Sequence, residues 1–343
     1  MNKTLAALTS LTAAAMLSAA PAPIKSSSAP YAKDAKTTIE RLDPALDALL
    51  SADAVVEHLG SGFNWSEGPI WVPAQNALLF SDVPENRVYR WKDGEGISVY
   101  LEPSGFTGSQ YNGRERGSNG LTLDAQGRLT LAQHGDRRIA RLAADGKSFE
   151  TVVDKFEGKR FSSPNDLCFD RAGNLFFTDP PYGLPSDTKQ ETAFHGVYRL
   201  STDGKLTVIG DDMSRPNGVA LSPDERTLYV GSTDGDEPWV KSYTLNADGS
   251  VASSRIFFDG TALMKAGRRG GFDGLKVDAN GNVWATGPGG VVIVSPEGKH
   301  LGSILTGRAT ANCAFGDADH QTFYITADEA LLRVRTKVKG AAR

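Results

Sequence analysis

The chain has 343 residues of ordinary globular composition and a formal net charge of −4. That balance offers no basic field for nucleic acid, and beyond the N-terminus no stretch reaches the ~20 apolar residues of a membrane-spanning helix. The expected partner is therefore a small molecule, with no nucleic acid and no membrane, and the expected state is a monomer or dimer. The 37 glycines and 17 prolines point to many tight turns and short strands.

The chain opens MNKTLAALTSLTAAAMLSAAPAP. Lys3 precedes a Leu/Ala run, and small residues follow at Ser18, Ala20 and Ala22, so residues 1–22 read as a secretory signal and predict a periplasmic or secreted protein. Residues 23–53 read as a linker with a short helical segment near Asp43 to Leu50. Cys168 and Cys313 each lie inside a strand-like run, where a buried free thiol is the expected state.

From Val55 onward, apolar and polar residues alternate in short runs broken by Asp-Gly, Asn-Gly, Glu-Gly and Ala-Gly turns, the punctuation of hairpins. One hairpin recurs six times, starting at Ile70, Leu121, Leu167, Val219, Leu275 and Cys313, at spacings of 51, 46, 52, 56 and 38 residues. Five copies are followed by a second hairpin, making four strands per unit at the ~40 to 50 residues of a propeller blade. The last copy has one further strand, ALLRVRTK, and AVVEHLGSG (Ala54 to Gly62) is free to complete it. The fold class is thus all-β: a six-bladed β-propeller over residues 54–338, four antiparallel strands per blade, its ring closed by strands from both ends of the domain.

The innermost strands of a propeller all start near one point of the central axis. Just before them stand Glu67, Asn119, Asn165 with Asp166, Asn217, Asp273 and Asn312, all bearers of side-chain oxygen. Asn or Asp before Gly is also a common turn pair, but a turn role does not account for the same offset in blade after blade, nor for Glu67. Carboxylate and amide oxygens without sulfur suit a hard divalent cation, Ca2+ or Mg2+ foremost, with Mn2+ and Zn2+ also compatible.

In order along the chain, SEGPIW, SPNDLCFD, RPNGVALSPD and FDGLKVDANGNVW resemble the blade motifs of the gluconolactonase family, which includes senescence marker protein (regucalcin) and is similar to the diisopropyl-fluorophosphatases. The resemblance runs from about Val55 to Val334. It implies that Glu67, Asn217 and Asp273 are metal ligands, that Asn165 joins the metal shell or meets substrate, and that Asp273 is also the catalytic acid/base. Animal members carry an arginine two residues before the position of Asn165; here Ser163 stands there and Arg160 lies further back.

The implied activity is metal-dependent hydrolysis of a sugar lactone, glucono-1,5-lactone or a related aldonolactone, to the aldonic acid, with one divalent cation, Ca2+ first. The cation polarises the carbonyl and lowers the pKa of water, and Asp273 handles the proton. No GxSxG nucleophile elbow occurs. The expected substrate contacts are Asn119, His134, Asn165, Asp166, Tyr182 and Arg160, with Asp179 and Arg116 as further polyol contacts. The competing readings are phosphotriester or aryl-ester hydrolysis at the same ring, and a non-catalytic binding propeller with a structural cation.

Overall fold

The computed structural model describes residues 37–341, so the expected signal and the first part of the expected linker lie outside the described residues. Six antiparallel sheets, five of four strands and one of five, follow one another around an axis. The innermost strands are Ser66–Val72, Ser118–Leu123, Leu167–Phe169, Pro216–Leu221, Leu275–Val277 and Asn312–Gly316, one for each of blades one to six. In blade six the outer strand is Val56–Ser61, paired antiparallel with Ala330–Arg335. Both ends of the domain thus contribute to one sheet, as the strand count along the sequence predicts.

The turn chemistry behind the repeat is explicit. Asp278 accepts the N–H groups of Asn280 and Asn282 at 2.9 Å each, and its second oxygen accepts Trp284 Nε1 at 3.0 Å. Asp124 likewise accepts from Gln126 and Arg128 at 3.0 and 2.9 Å. An Asp that caps its own turn fixes the hairpin locally, which is why the D-x-x-G text recurs.

Apolar residues from facing blades interleave in six layers, one per pair of neighbours. Leu121, Leu129 and Leu131 pack with Val72, Leu79 and Val88 between blades one and two, and Trp284 and Val291 pack with Phe323 and Ile325 between five and six. The apolar material therefore sits between blades, and the strand ends nearest the axis are left for polar groups.

Part of the stretch expected as linker is built into the propeller. Thr38–Arg41 pairs antiparallel with His300–Leu305 as a fifth strand of blade five, and the 3-10 helix Pro44–Ala48 leads Leu46, Leu49 and Leu50 into the layer between blades five and six. Cys168 and Cys313 are buried, and neither is in a disulfide.

Candidate functional site

Each innermost strand delivers one oxygen-bearing residue to the axial opening: Glu67, Asn119, Asn165, Asn217, Asp273 and Asn312. Five of them are at most 3% exposed, and Asp273 is half-buried. The residue that follows each one shows why the pattern reads Asn-Gly or Asp-Gly. A Cβ on Gly218 would lie 2.1 Å from the Asp273 carbonyl oxygen, and one on Gly274 would lie 2.0 Å from Asn312 Cγ. Neither glycine has a positive φ. They are glycines because the next blade's ring residue occupies the Cβ position, not because the chain turns there. In blade three Asp166 stands in that place, and its carboxylate accepts the N–H of Val219 in blade four at 3.3 Å and of its neighbour Leu167 at 2.9 Å.

Second-strand hydroxyls brace the ring from behind. Thr178 Oγ1 donates to the Asn217 carbonyl at 2.7 Å, Thr286 Oγ1 to the Ala311 carbonyl at 2.8 Å, and Ser81 Oγ to the Asn119 carbonyl at 2.8 Å. With their backbones so held, the ring side chains have few orientations left.

The electrostatics are those of crowded anions. Burial pushes the Glu67 carboxyl up to about 8, the Asp166 charge adds to this, and the Gly68 N–H that donates to Glu67 Oε2 at 3.0 Å opposes it. Asp273 is raised well above the usual carboxylate range, first by burial and then by the charges of Glu67, Asp166 and Glu115. Amide oxygens complete the picture: Oδ1 of Asn119, Asn165 and Asn217, like Oδ1 of Asp273, is buried and accepts no hydrogen bond. Buried acceptors are normally satisfied. Four orphaned oxygens beside a buried carboxylate fit the coordination sphere of a hard cation. Among the described residues no three His, Cys, Asp or Glu side chains form a metal cluster, since four of the six ring residues are asparagine.

Residues 65–329 match the SMP-30/Gluconolactonase/LRE-like region. The chain belongs to this family. It is 42% identical over 311 residues to a gluconolactonase of Zymomonas mobilis, an alignment covering 88% of this chain and 87% of that one. A solved gluconolactonase of Xanthomonas campestris superposes with a TM-score of 0.77 at 34% identity, over 88% of this chain and 95% of that one. A calcium-binding regucalcin of Agrobacterium tumefaciens, at 19% identity and a TM-score of 0.63 over 82% of this chain and 92% of that one, shares the fold.

Loops of blades two and three stand near the ring. His134 follows the strand Leu129–Gln133, is fully buried, and its Nδ1 lies 3.3 Å from Glu115 Oε2. The loop carrying Glu115 meets the long loop of blade three, where the Tyr111 hydroxyl donates to the Gly183 carbonyl and the Asn112 carbonyl accepts the Ser186 N–H at 2.9 Å. Tyr182 shares a hydrogen bond with the Thr233 hydroxyl. Burial and the nearby charge of Asp273 keep its phenol protonated, while Arg215 acts in the other direction.

Other expected contacts have different tasks. Arg160 Nη2 donates to the Asp136 carbonyl at 2.6 Å, and its N–H donates to Glu191 at 2.9 Å, which ties it to the turn after His134 in blade two and to the long loop of blade three. Asp166 is spent largely on backbone donors, though its charge is felt at the ring. Asp179 accepts the N–H groups of Ser162 and Ser163 at 2.8 and 2.7 Å, and burial lifts its carboxyl to about 7; it braces the segment leading to Asn165. Arg116 is exposed.

Two candidates were missed. Arg215, two residues before Asn217, is exposed and acts on Tyr182 and His195; its signal was the opening of the RPNGV text itself. Glu115 sits in a loop without a repeat, and nothing in its sequence context marks it.

Proposed function

We propose that the protein hydrolyses aldonolactones, glucono-1,5-lactone first among them, with one divalent cation, calcium first, held by Glu67, Asn165, Asn217 and Asp273. The supporting observation is the set of buried amide and carboxylate oxygens without hydrogen-bond partners around one axial point, in a chain 42% identical to a gluconolactonase. The calcium-binding relative gives calcium its precedence. When bound, the cation supplies Lewis-acid polarisation of the lactone carbonyl and a more acidic water.

The protein's own groups do the rest. Asp273 Oδ1, free of any donor, takes the proton of the attacking water and returns it to the ring oxygen as the ester C–O bond breaks, so that water is added across that bond. Asn119 and Asn165 offer acceptors to sugar hydroxyls, and His134, paired with Glu115, forms the blade-two wall. Tyr182, kept as the neutral phenol, and Arg215 form the wall on the side of blades three and four. A mouth so rich in hydrogen-bonding groups suits a polyol and not an apolar partner.

Acid release from glucono-1,5-lactone, followed with and without chelator for the wild type and Asp273→Ala, tests this reading. Loss of activity in both treatments is expected, and activity that survives both would refute it. For the N-terminal Leu/Ala run we propose export; periplasmic recovery of a chain shortened to about residue 23 supports this, and cytoplasmic retention of the full-length chain overturns it.

A further inference from the structure

Five ring positions present oxygen toward the axis, and the sixth does not. Asn312 Oδ1 accepts the N–H of Cys313 at 2.8 Å. A backbone N–H can only donate, so this bond decides which end of the amide is oxygen and which is nitrogen. The remaining end, Nδ2, is buried and has no hydrogen-bond partner, and the Asn312 amide favours the charged form of Glu67. Gly274 from blade five leaves no slack, because even a methyl group there would overlap the Asn312 amide. The amide is wedged with its oxygen on the Cys313 N–H, which leaves its donor end unsatisfied within the ring.

We propose that Asn312 is a positioning residue that donates from Nδ2 to the Glu67 carboxylate and sets the direction in which Glu67 offers its oxygens to the ring's cation, without itself being a ligand. This rests on the reading of the ring as a cation site. The physical need is clear: Glu67 is otherwise held by the Gly68 N–H at 3.0 Å and by a long contact of 3.4 Å from Trp65 Nε1. A carboxylate with so few donors and anionic neighbours swings away from the axis unless a third donor restrains it. Partners that orient ligands in this way are typically worth about 10- to 100-fold in metal affinity.

Europium(III) luminescence, excited directly, reports both affinity and, from lifetimes in light and heavy water, the number of waters on the ion. Chelator-stripped wild type, Asn312→Leu and Asn312→Ser are compared, each also in a Glu67→Gln background. Serine retains an acceptor for the Cys313 N–H but is too short to reach Glu67, which guards against loss of the fold. The expected result is a dissociation constant raised about tenfold in both variants, an unchanged water count, and no further loss when Glu67 is already glutamine. One extra water per ion would make Asn312 a ligand and overturn the proposal. So would unchanged affinity, or an equal loss in the Glu67→Gln background. If the wild type binds no europium, the cation ring itself is refuted and this role with it; if it binds and only the variants fail to respond, the ring stands and the role of Asn312 falls.

Discussion

Gly218 of blade four and Asp273 of blade five meet so closely that a methyl group on the glycine would stand 2.1 Å from the Asp273 carbonyl oxygen. The carboxylate proposed as acid/base is thus placed by its neighbour's missing side chain. Gly218→Ala should force the two backbones apart, costing about 1–3 kcal/mol of stability and lowering lactonase activity more than a comparable loss of stability elsewhere would. Gly235→Ala, at a glycine with open space around it and no positive φ, is the control and should change neither. Melting temperature and initial rate for the two variants check this; equal behaviour would mean that the close approach has slack.

Beyond the effect of burial, the Glu67 charge raises the proton affinity of Asp273 and the Asp166 charge raises that of Glu67, so the ring trades stability for function. Glu67→Gln is expected to raise the melting temperature of chelator-treated protein by a few degrees, and to abolish the further rise that calcium gives the wild type. Asp273→Asn should behave similarly and lower the turnover number by roughly 10^2- to 10^4-fold. Scanning calorimetry with and without calcium reads both effects, and a destabilised Glu67→Gln in chelator would contradict the proposed repulsion.

The sign of the pH dependence follows from the direction of these shifts. A carboxyl whose folded pKa lies above its unfolded value, as Glu67 at about 8 against 4.5, contributes stability that is present below about 4.5 and is lost as pH rises through 8. A cation displaces those protons and removes the repulsion. Calcium should therefore raise the melting temperature more at pH 8 than at pH 5, measured in the same chelator-treated stock. Equal increments at the two values would show that the ring carboxylates are already ionised at pH 5.

The repeat was legible because its cause is local. Asp124, Asp170 and Asp278 cap their own turns through hydrogen bonds within four residues, so the hairpin is written in a short window. Glu67, Asn119, Asn165, Asn217 and Asp273 were legible by position, since each stands at or just before the start of an inner strand, at the axial end of its blade. What escaped depends on distant chain. Asn312 reads as one more oxygen donor until the Cys313 N–H and the close approach of Gly274 turn its nitrogen inward. Arg160 reads as a substrate arginine until the Asp136 carbonyl claims it. Glu115 acquires meaning only when folding sets it beside His134.

The strand Thr38–Arg41 was the largest feature hidden from the sequence, because its partner His300–Leu305 lies at the far end of the chain. It covers the outer edge of blade five in the register Glu40 with Ser303 and Arg41 with Gly302. Glu40 Oε1 accepts from Arg268 Nη2 at 2.7 Å, and Arg268 belongs to the loop that runs on to Phe272 and Asp273. The N-terminal strand is thus tied to the segment that presents Asp273. A chain starting at Asp43 should melt several degrees below one starting at Ala35 and should self-associate, because an uncovered strand edge is a template for pairing. Arg268→Ala keeps the strand but breaks the tie; it should leave the association state unchanged and lower turnover by a few-fold through a looser Asp273. Light scattering separates the two expectations, and a shortened chain that stays monomeric with an unaltered melting temperature would show that the edge of blade five needs no cover.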